Sequence, residues 1–350
     1  MPPVQTVPPG TYPRNQVNGS ETLYKVVVPV NFVLVPVMVK DSDGRRVEGL
    51  TPKDFTVLEN GKKQNLTFFT SDPFALSVAI VLETGMPDVT LQKVNQTFGA
   101  LAGSFSPYDE FALYTYSGTV SQVLDFTRNS ERLTAALNQI KLVRGGHNGP
   151  VVLNDPFSVG PTVNGVPVGG PPIAPVQTPT REAHVLNDAI LRAAIDLGKR
   201  ERTRRKVIFV ISTGRELGST ASYRDVLRLL EGRDIQVKAV VVDTGALPVY
   251  KEIEKIRLIR QGYSDILPKY TAATGGGQVF TELSRNSIER AYADIASEAR
   301  NQYTLGYQTR ATASTAYRSI EVLVDRRGLK IAAKDGYYPA PAPRAPPPPK

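Results

Sequence analysis

Two rhythms of apolar and polar positions divide this chain. Across residues 26–70, "VVVPVNFVLVPVMV" and "DFTVLENGKKQNLTFF" mix apolar runs with alternation, the period of two that sends successive side chains to opposite faces of a strand. Between them "KDSDGRR" turns the chain through Asp41, Asp43 and Gly44, and Asn60-Gly61 marks a tight hairpin. So few strands cannot bury both faces alone, so this module needs partners from elsewhere. From Phe74 the rhythm changes to alternating strands and helices, the pattern of a doubly wound, mostly parallel α/β sheet. A strand over 75–82 leads to a helix over 88–101, with Leu91, Val94, Phe98 and Leu101 at helical spacing. "DEFALYTYSG" and "VSQVLDF" read as a hairpin around Gly118, followed by a helix over 130–140 with Ser130 as its N-cap. Helix 182–199, strand "KVIFVIS", helix 223–231 and strand "IQVKAVVVD" continue the alternation. "ILPKYTAATGGGQVF" runs from a helix through a glycine cap into a short strand, and helix 287–302 closes the sheet domain.

The end of the chain returns to strands: "YTLGYQT", "YRSIEVLVD" and "LKIAAKDGYY". The two β-rich pieces are therefore expected to pair into one sandwich-like module that brings the chain's ends together. The organisation that follows is a disordered lead-in (1–22), an N-terminal β-module (23–72), an α/β domain (73–302), completing C-terminal strands (303–338) and a polyproline tail (339–350). Two irregular stretches interrupt the α/β domain, a Gly- and Pro-rich one at 144–180 and another at 246–268. The first reads as a mobile surface insertion.

Composition removes several chemistries. The 350 residues contain no cysteine and two histidines, His147 and His184, which excludes disulfides, thiol nucleophiles and Cys-based zinc sites and argues against histidine-rich metal catalysis. The formal net charge of +9 is concentrated. "KRERTRRK" at 199–206 holds six cations against one anion, and residues 300–350 hold nine against three. Such segments could meet nucleic acid or an anionic envelope surface, although no aromatic residue interleaves the first, and it joins a helix to the start of a strand. No segment offers the ~18–20 apolar residues that span a bilayer. The stretch 26–39 is short, broken by Pro29, Asn31 and Pro36, and followed by a turn rather than a small-residue cleavage pattern, so it reads as strand and no export signal is visible.

Three strands end in polar clusters: "VLETGMP", "VISTGRE" and "VVDTGA". In an open parallel sheet the carboxyl ends of the strands share one face, where ligand sites form. Other constellations are poorer. "TAATGGGQVF" leaves a helix and enters a strand, the reverse of a phosphate loop. "YSGT" is no nucleophile elbow, and His184 falls at a helix start. Asp41, Asp43 and Gly44 lack the closing glutamate of a calcium loop. A hydrolase-like enzyme on a doubly wound sheet is thus the poorest reading.

The order of elements, with "VPVMVKDSDGRRVEGLTPKDFTVLENGKKQNLTFF", "VIFVISTGREL" and "YTLGYQT" through "IAAKDGYYP", resembles the von Willebrand factor type A domain. It is similar in particular to the divergent version of that domain found in Acidobacteria, over roughly residues 25–340. The resemblance implies a non-catalytic protein-binding, adhesion-type module and export to the periplasm or cell envelope. It also implies a metal-ion-dependent adhesion site: an Asp-x-Ser-x-Ser run, a loop Thr and a second Asp that cage Mg²⁺ or Mn²⁺ with hard oxygens and leave one position for an acidic group of the partner. This chain departs at each of those positions. Glu83 stands for the first Asp, about 1.5 Å longer. Gly85 and Pro87 stand for the serines, His184 (with Thr178 and Thr180 nearby) for the loop Thr, and Thr213 for the second Asp. The expectation is a degenerate site with no bound metal. A protein partner would meet Glu83, Thr84, His184, Thr213 and Arg215, with the insertions as contact loops. A further reading pairs Arg215 with Glu83 across the cleft in the metal's place.

Overall fold

The computed structural model describes residues 31–146, 162–163, 166–167, 183–201, 203–242, 266–282, 284–309 and 316–339. The lead-in 1–22, the tail 340–350, most of both insertions, and His147, Thr178 and Thr180 lie outside the described residues.

Six strands form the central sheet. In chain order they are β5 (Leu76–Glu83), β6 (Glu110–Tyr116), β7 (Val120–Thr127), β10 (Arg205–Ser212), β11 (Ile235–Val242) and β12 (Phe280–Glu282). Their order across the sheet is β12-β11-β10-β5-β6-β7, all parallel except β7, which returns antiparallel on β6. The first strand thus lies in the middle, next to the switch in winding direction that opens a crevice at the strands' carboxyl ends.

Helices cover both faces because β5 and β10 are buried along their whole length. On one face Leu76, Val78, Ile80 and Leu82 of β5 pack with α1 (Asp88–Asn95), α2 (Phe98–Gly103), α3 (Ser130–Ile140) and α7 (Arg285–Arg300). On the other, Ala79 and Val81 pack with α4 (Leu186–Leu197), α5 (Tyr223–Gly232) and α6 (Ile266–Ala273). The single helix expected over 88–101 is two: the chain breaks at Gln96-Thr97, where the Thr97 hydroxyl bonds back to Val94 O at 2.7 Å and meets Tyr292 Oη at 3.0 Å. The cap of α3 is Asn129 rather than Ser130, its side chain accepting from the Glu131 and Arg132 amides. The first described residues after the second irregular stretch, 266–268, begin α6 rather than belonging to a loop. Within the first stretch, β8 (Thr162–Val163) pairs with β9 (Val166–Pro167).

Strands from both ends of the chain build two four-stranded sheets around a shared core. One runs β15 (Lys330–Ala333), β1 (Asn31–Lys40), β13 (Tyr303–Thr309), β4 (Leu66–Thr70); the other runs β16 (Gly336–Tyr337), β14 (Arg318–Val324), β2 (Phe55–Glu59), β3 (Lys62–Lys63). The period-two alternation of β1 sends Val33, Val35, Val37 and Val39 inward against Phe55, Val57, Leu305 and Val322. This α/β domain with a β-sandwich of N- and C-terminal strands is the expected fold class.

Several described cations of the basic stretch 199–206 are tied into the structure. Arg200 makes a two-pronged bond to Glu110 at 2.9 and 2.6 Å, Arg204 donates to Leu76 O, and Lys199 pairs with Asp196. Arg205 is buried, donating to Ala299 O, Gln302 and Thr304 with its guanidinium over the Phe74 ring. Burial alone pulls that guanidinium down to about 9. Among the described residues no helix is long and apolar enough to cross a membrane.

Candidate functional site

The site at the carboxyl ends of the strands follows from the side-chain alternation. On β5, Ser77, Ala79, Val81 and Glu83 share the face that α4 covers. On β10 the same face carries Ile208, Val210 and Ser212, and on β6 it carries Ala112, Tyr114 and Tyr116. Register places Glu83 directly beside Tyr116. Three polar side chains therefore meet at the top of an apolar layer, just where α4 begins.

Glu83 is the centre of this cluster and is fully buried. The Ser212 hydroxyl donates to its Oε2 at 2.8 Å and the Thr213 amide to the same oxygen at 2.7 Å. The Thr213 hydroxyl lies 2.9 Å from Oε2 and 3.1 Å from Oε1, and His184 Nδ1 lies 2.7 Å from Oε1. Burial by itself pushes the Glu83 carboxyl up. The bond and charge of His184, with the Thr213 amide and the Ser212 hydroxyl, outweigh it and hold the group below the usual carboxylate range. An ionised carboxylate only accepts, so Nδ1 carries the proton and donates.

A second ring of contacts holds these donors in place. Tyr116 Oη donates to Ser212 Oγ at 2.8 Å, and burial followed by the Glu83 charge keeps that phenol well above its usual range. The Gly214 amide also bonds Ser212 Oγ at 2.8 Å, with Gly214 at φ 81°, a turn that a side-chain-bearing residue resists. His184 exchanges backbone bonds with Leu217 at 2.8 and 2.9 Å, so the segment before α4 is zipped to the loop after β10. Val185, the residue preceding α4, offers no side-chain cap. Glu216 from the opposite loop supplies one, accepting the Asn187 amide at 2.7 Å, and Asp188 in turn accepts the Thr220 and Ala221 amides.

The residues singled out from the sequence divide into two groups. Glu83, His184 and Thr213 come together. Thr84 turns away, its amide and hydroxyl both on Tyr116 O at 2.8 and 3.2 Å. Arg215 is half-buried, and His184 takes the place beside Glu83 that one reading gave to Arg215. A Cβ built on Gly85 would sit 3.0 Å from Ser117 Cβ, and Pro87 opens α1 by accepting the Thr90 and Leu91 amides. Ser212 and Tyr116 were missed; a polar residue closing each of two apolar strands was the available signal. Among the described residues, no group of three or more His, Asp or Glu stands close enough to hold a metal ion.

Six mostly parallel strands with helices on both faces define the architecture that carries this cluster. The fold is von Willebrand factor type A-like. Among solved structures the chain is similar to BatB from Bacteroides thetaiotaomicron, at 13% identity over 64% of this chain and 98% of that one, TM-score 0.42. It is also similar to a von Willebrand factor type A structure from Catenulispora acidiphila, at 6% identity over 90% and 75%, TM-score 0.43. A third is proximal thread matrix protein 1 of the mussel byssus with a zinc-occupied MIDAS motif, at 15% identity over 68% and 48%, TM-score 0.39. These likenesses are too distant to carry function. No family model and no curated protein matches the chain.

Proposed function

We propose that this chain is a non-catalytic protein-interaction module of adhesion type, whose site at the top of the sheet works without a divalent cation. One observation carries the reading: both oxygens of Glu83 are already taken by four protein donors, His184 Nδ1, the Ser212 hydroxyl, and the amide and hydroxyl of Thr213. A carboxylate has about four acceptor positions, so the cluster is closed on itself. Mg²⁺ or Mn²⁺ needs several hard oxygens free in a near-octahedral shell. Gly85 and Pro87 contribute no side-chain oxygen, and the Ser212 and Thr213 hydroxyls are committed to Glu83. The residues present do not fit the metal. His184 supplies the Glu83 carboxylate with a partner from inside the protein.

The same closure supports a non-catalytic reading. The His184 side chain is 6% exposed and that of Glu83 is 0% exposed, so neither is offered to a substrate. A rigid loop platform built on 84–87, 117–119 and 213–218, with Arg215 on it, is what remains for a protein partner.

Thermal unfolding in EDTA and then in excess Mg²⁺, Mn²⁺ or Ca²⁺ tests the proposal. Occupancy at a hundredfold over the dissociation constant would add about 2.7 kcal/mol, or on the order of 5–10 °C for a domain this size. The expected shift is none. A shift of that size which disappears in Thr213→Ala would overturn the metal-free reading.

A further inference from the structure

A second feature at the same end of the sheet lies on the opposite face, under α1. A cleft of about 570 Å³ opens between α1 and the loop that leaves α3, lined among others by Asp88, Gln92, Asn95, Lys141, Leu142 and Arg144. Its walls are fixed. The Gly145 amide donates to Asp88 Oδ1 at 3.0 Å, the Asp88 amide to Gly146 O at 3.0 Å, and the Gly146 amide to Met86 O at 2.8 Å. A Cβ on Gly145 would lie 2.6 Å from both Met86 O and Asp88 Cα, so only glycine allows the loop this close.

The charge of the cleft is one-sided. Asp88 is satisfied internally, with Gly145 on one oxygen and Gln92 Nε2 on the other at 2.6 Å. Lys141 and Arg144 are exposed, and among the described residues neither has an ion-pair partner. Beside them stand two apolar side chains that a monomer gains nothing by showing: Leu142 is 85% exposed and Val143 45%. Asn95, 9% exposed, lies on the floor with its Oδ1 lacking any donor.

We infer that this cleft docks an extended peptide segment of a protein partner that carries carboxylates next to an apolar residue. The carboxylates meet Lys141 and Arg144, the apolar side chain rests on Leu142 and Val143, and a peptide N–H satisfies Asn95 after a small turn of its amide. Such a surface supplies apolar contact for affinity and unpaired cations for steering and selectivity. Pinning both walls beforehand lowers the ordering cost of binding. The inference rests on the reading of the chain as an interaction module and names a class of partner for it. The turn 84–87 separates the cleft from Glu83, so the two surfaces can be tested apart.

The experiment is fluorescence anisotropy in EDTA with a set of labelled eight-residue peptides, each with two Glu or Asp around an apolar centre, and their Gln and Asn counterparts. Acidic peptides are expected to bind, their uncharged counterparts at least about tenfold more weakly. The double variant K141E/R144E should abolish the preference while melting at the native temperature, since both side chains are exposed. Arg327→Glu, at an exposed cation of the sandwich, should leave peptide affinity unchanged. Equal affinity for acidic and uncharged peptides, no binding by any member, or affinity untouched by K141E/R144E would overturn the cleft. Binding lost in Arg215→Glu alone would also overturn the cleft while keeping the interaction module. The metal titration judges the module's cation-free site separately.

Discussion

Glu83 shows what a buried charge demands. Each neighbour of its carboxylate is a donor, so in Glu83→Gln the amide NH2 would face a donor, either His184 on one side or Ser212 and Thr213 on the other. Breaking a buried pair by changing one partner costs about 3–5 kcal/mol, and at about 2–4 °C per kcal/mol the melting temperature should fall by roughly 10 °C at pH 7. The pH dependence has a definite sign. The folded-state pKa of Glu83 is lowered, so its contribution is present above its unfolded value of 4.5 and lost as pH falls through the lower folded value. Melts followed by far-UV circular dichroism should therefore show the gap between native and variant closing below pH 4.5. A Gln variant that melts with the native protein at pH 7 would remove Glu83 as the anchor of the site. Glu83 and Thr213 were legible because each stands at or just past the end of an apolar run. His184 was placed only by counting back from the helix that follows it. Ser212 and Tyr116 offered only a single polar residue at the end of an apolar strand, a signal without a period, and it gained meaning once register set Tyr116 against Glu83.

The elements themselves were written in the chain more plainly than their ends. Period two and period 3.6 located the strands and helices, while the break at Gln96-Thr97 depends on a hydroxyl meeting Tyr292 from a helix nearly two hundred residues later. The same holds for α5, whose apolar stripe was readable but whose last acidic residue was not. Glu231 is buried beneath the sandwich strands. It faces Asp335 and Lys334 from the β15–β16 turn and Tyr317 just before β14, with Tyr223 on its own helix. Burial first, then the Asp335 charge, pushes its carboxyl up to about 7. Between pH 4.5 and 7 the folded state holds a proton that the unfolded chain has lost, so stability declines across that window and levels off above it. Glu231→Gln should flatten this decline and be the more stable form at pH 8. Parallel slopes for the two proteins between pH 5 and 7 would show that Glu231 titrates normally.

At the scale of the molecule, the sandwich joins strands from opposite ends of the chain, Asn31 of β1 lying opposite Thr309 of β13. The sequence could announce that each β-rich piece was incomplete, since neither had enough strands. Which strand pairs with which is a matter of long-range register that no local pattern encodes. What ties this sandwich to the α/β layer includes charges that sequence reading had no reason to pick. Lys238, in the middle of β11, is 2% exposed and donates to Gly276 O at 2.8 Å and to Glu298 of α7 at 3.2 Å, while Lys40 of β1 pairs with the other oxygen of Glu298. Burial pulls the Lys238 ammonium down and Glu298 opposes it. Glu298→Ala leaves Lys238 buried without its counter-charge, an expected cost of about 3–5 kcal/mol. Lys238→Met keeps the apolar stem and leaves Glu298 paired with Lys40, so its cost should stay at about 2 kcal/mol, that of the two lost hydrogen bonds. In the Lys238→Met background Glu298→Ala should then cost far less than in the native chain, because the charge it would strand is gone. Melting all four proteins gives the coupling directly. If Glu298→Ala costs the same in both backgrounds, the two side chains act independently. The attachment of the sandwich would then rest on Arg205 and on apolar contacts instead.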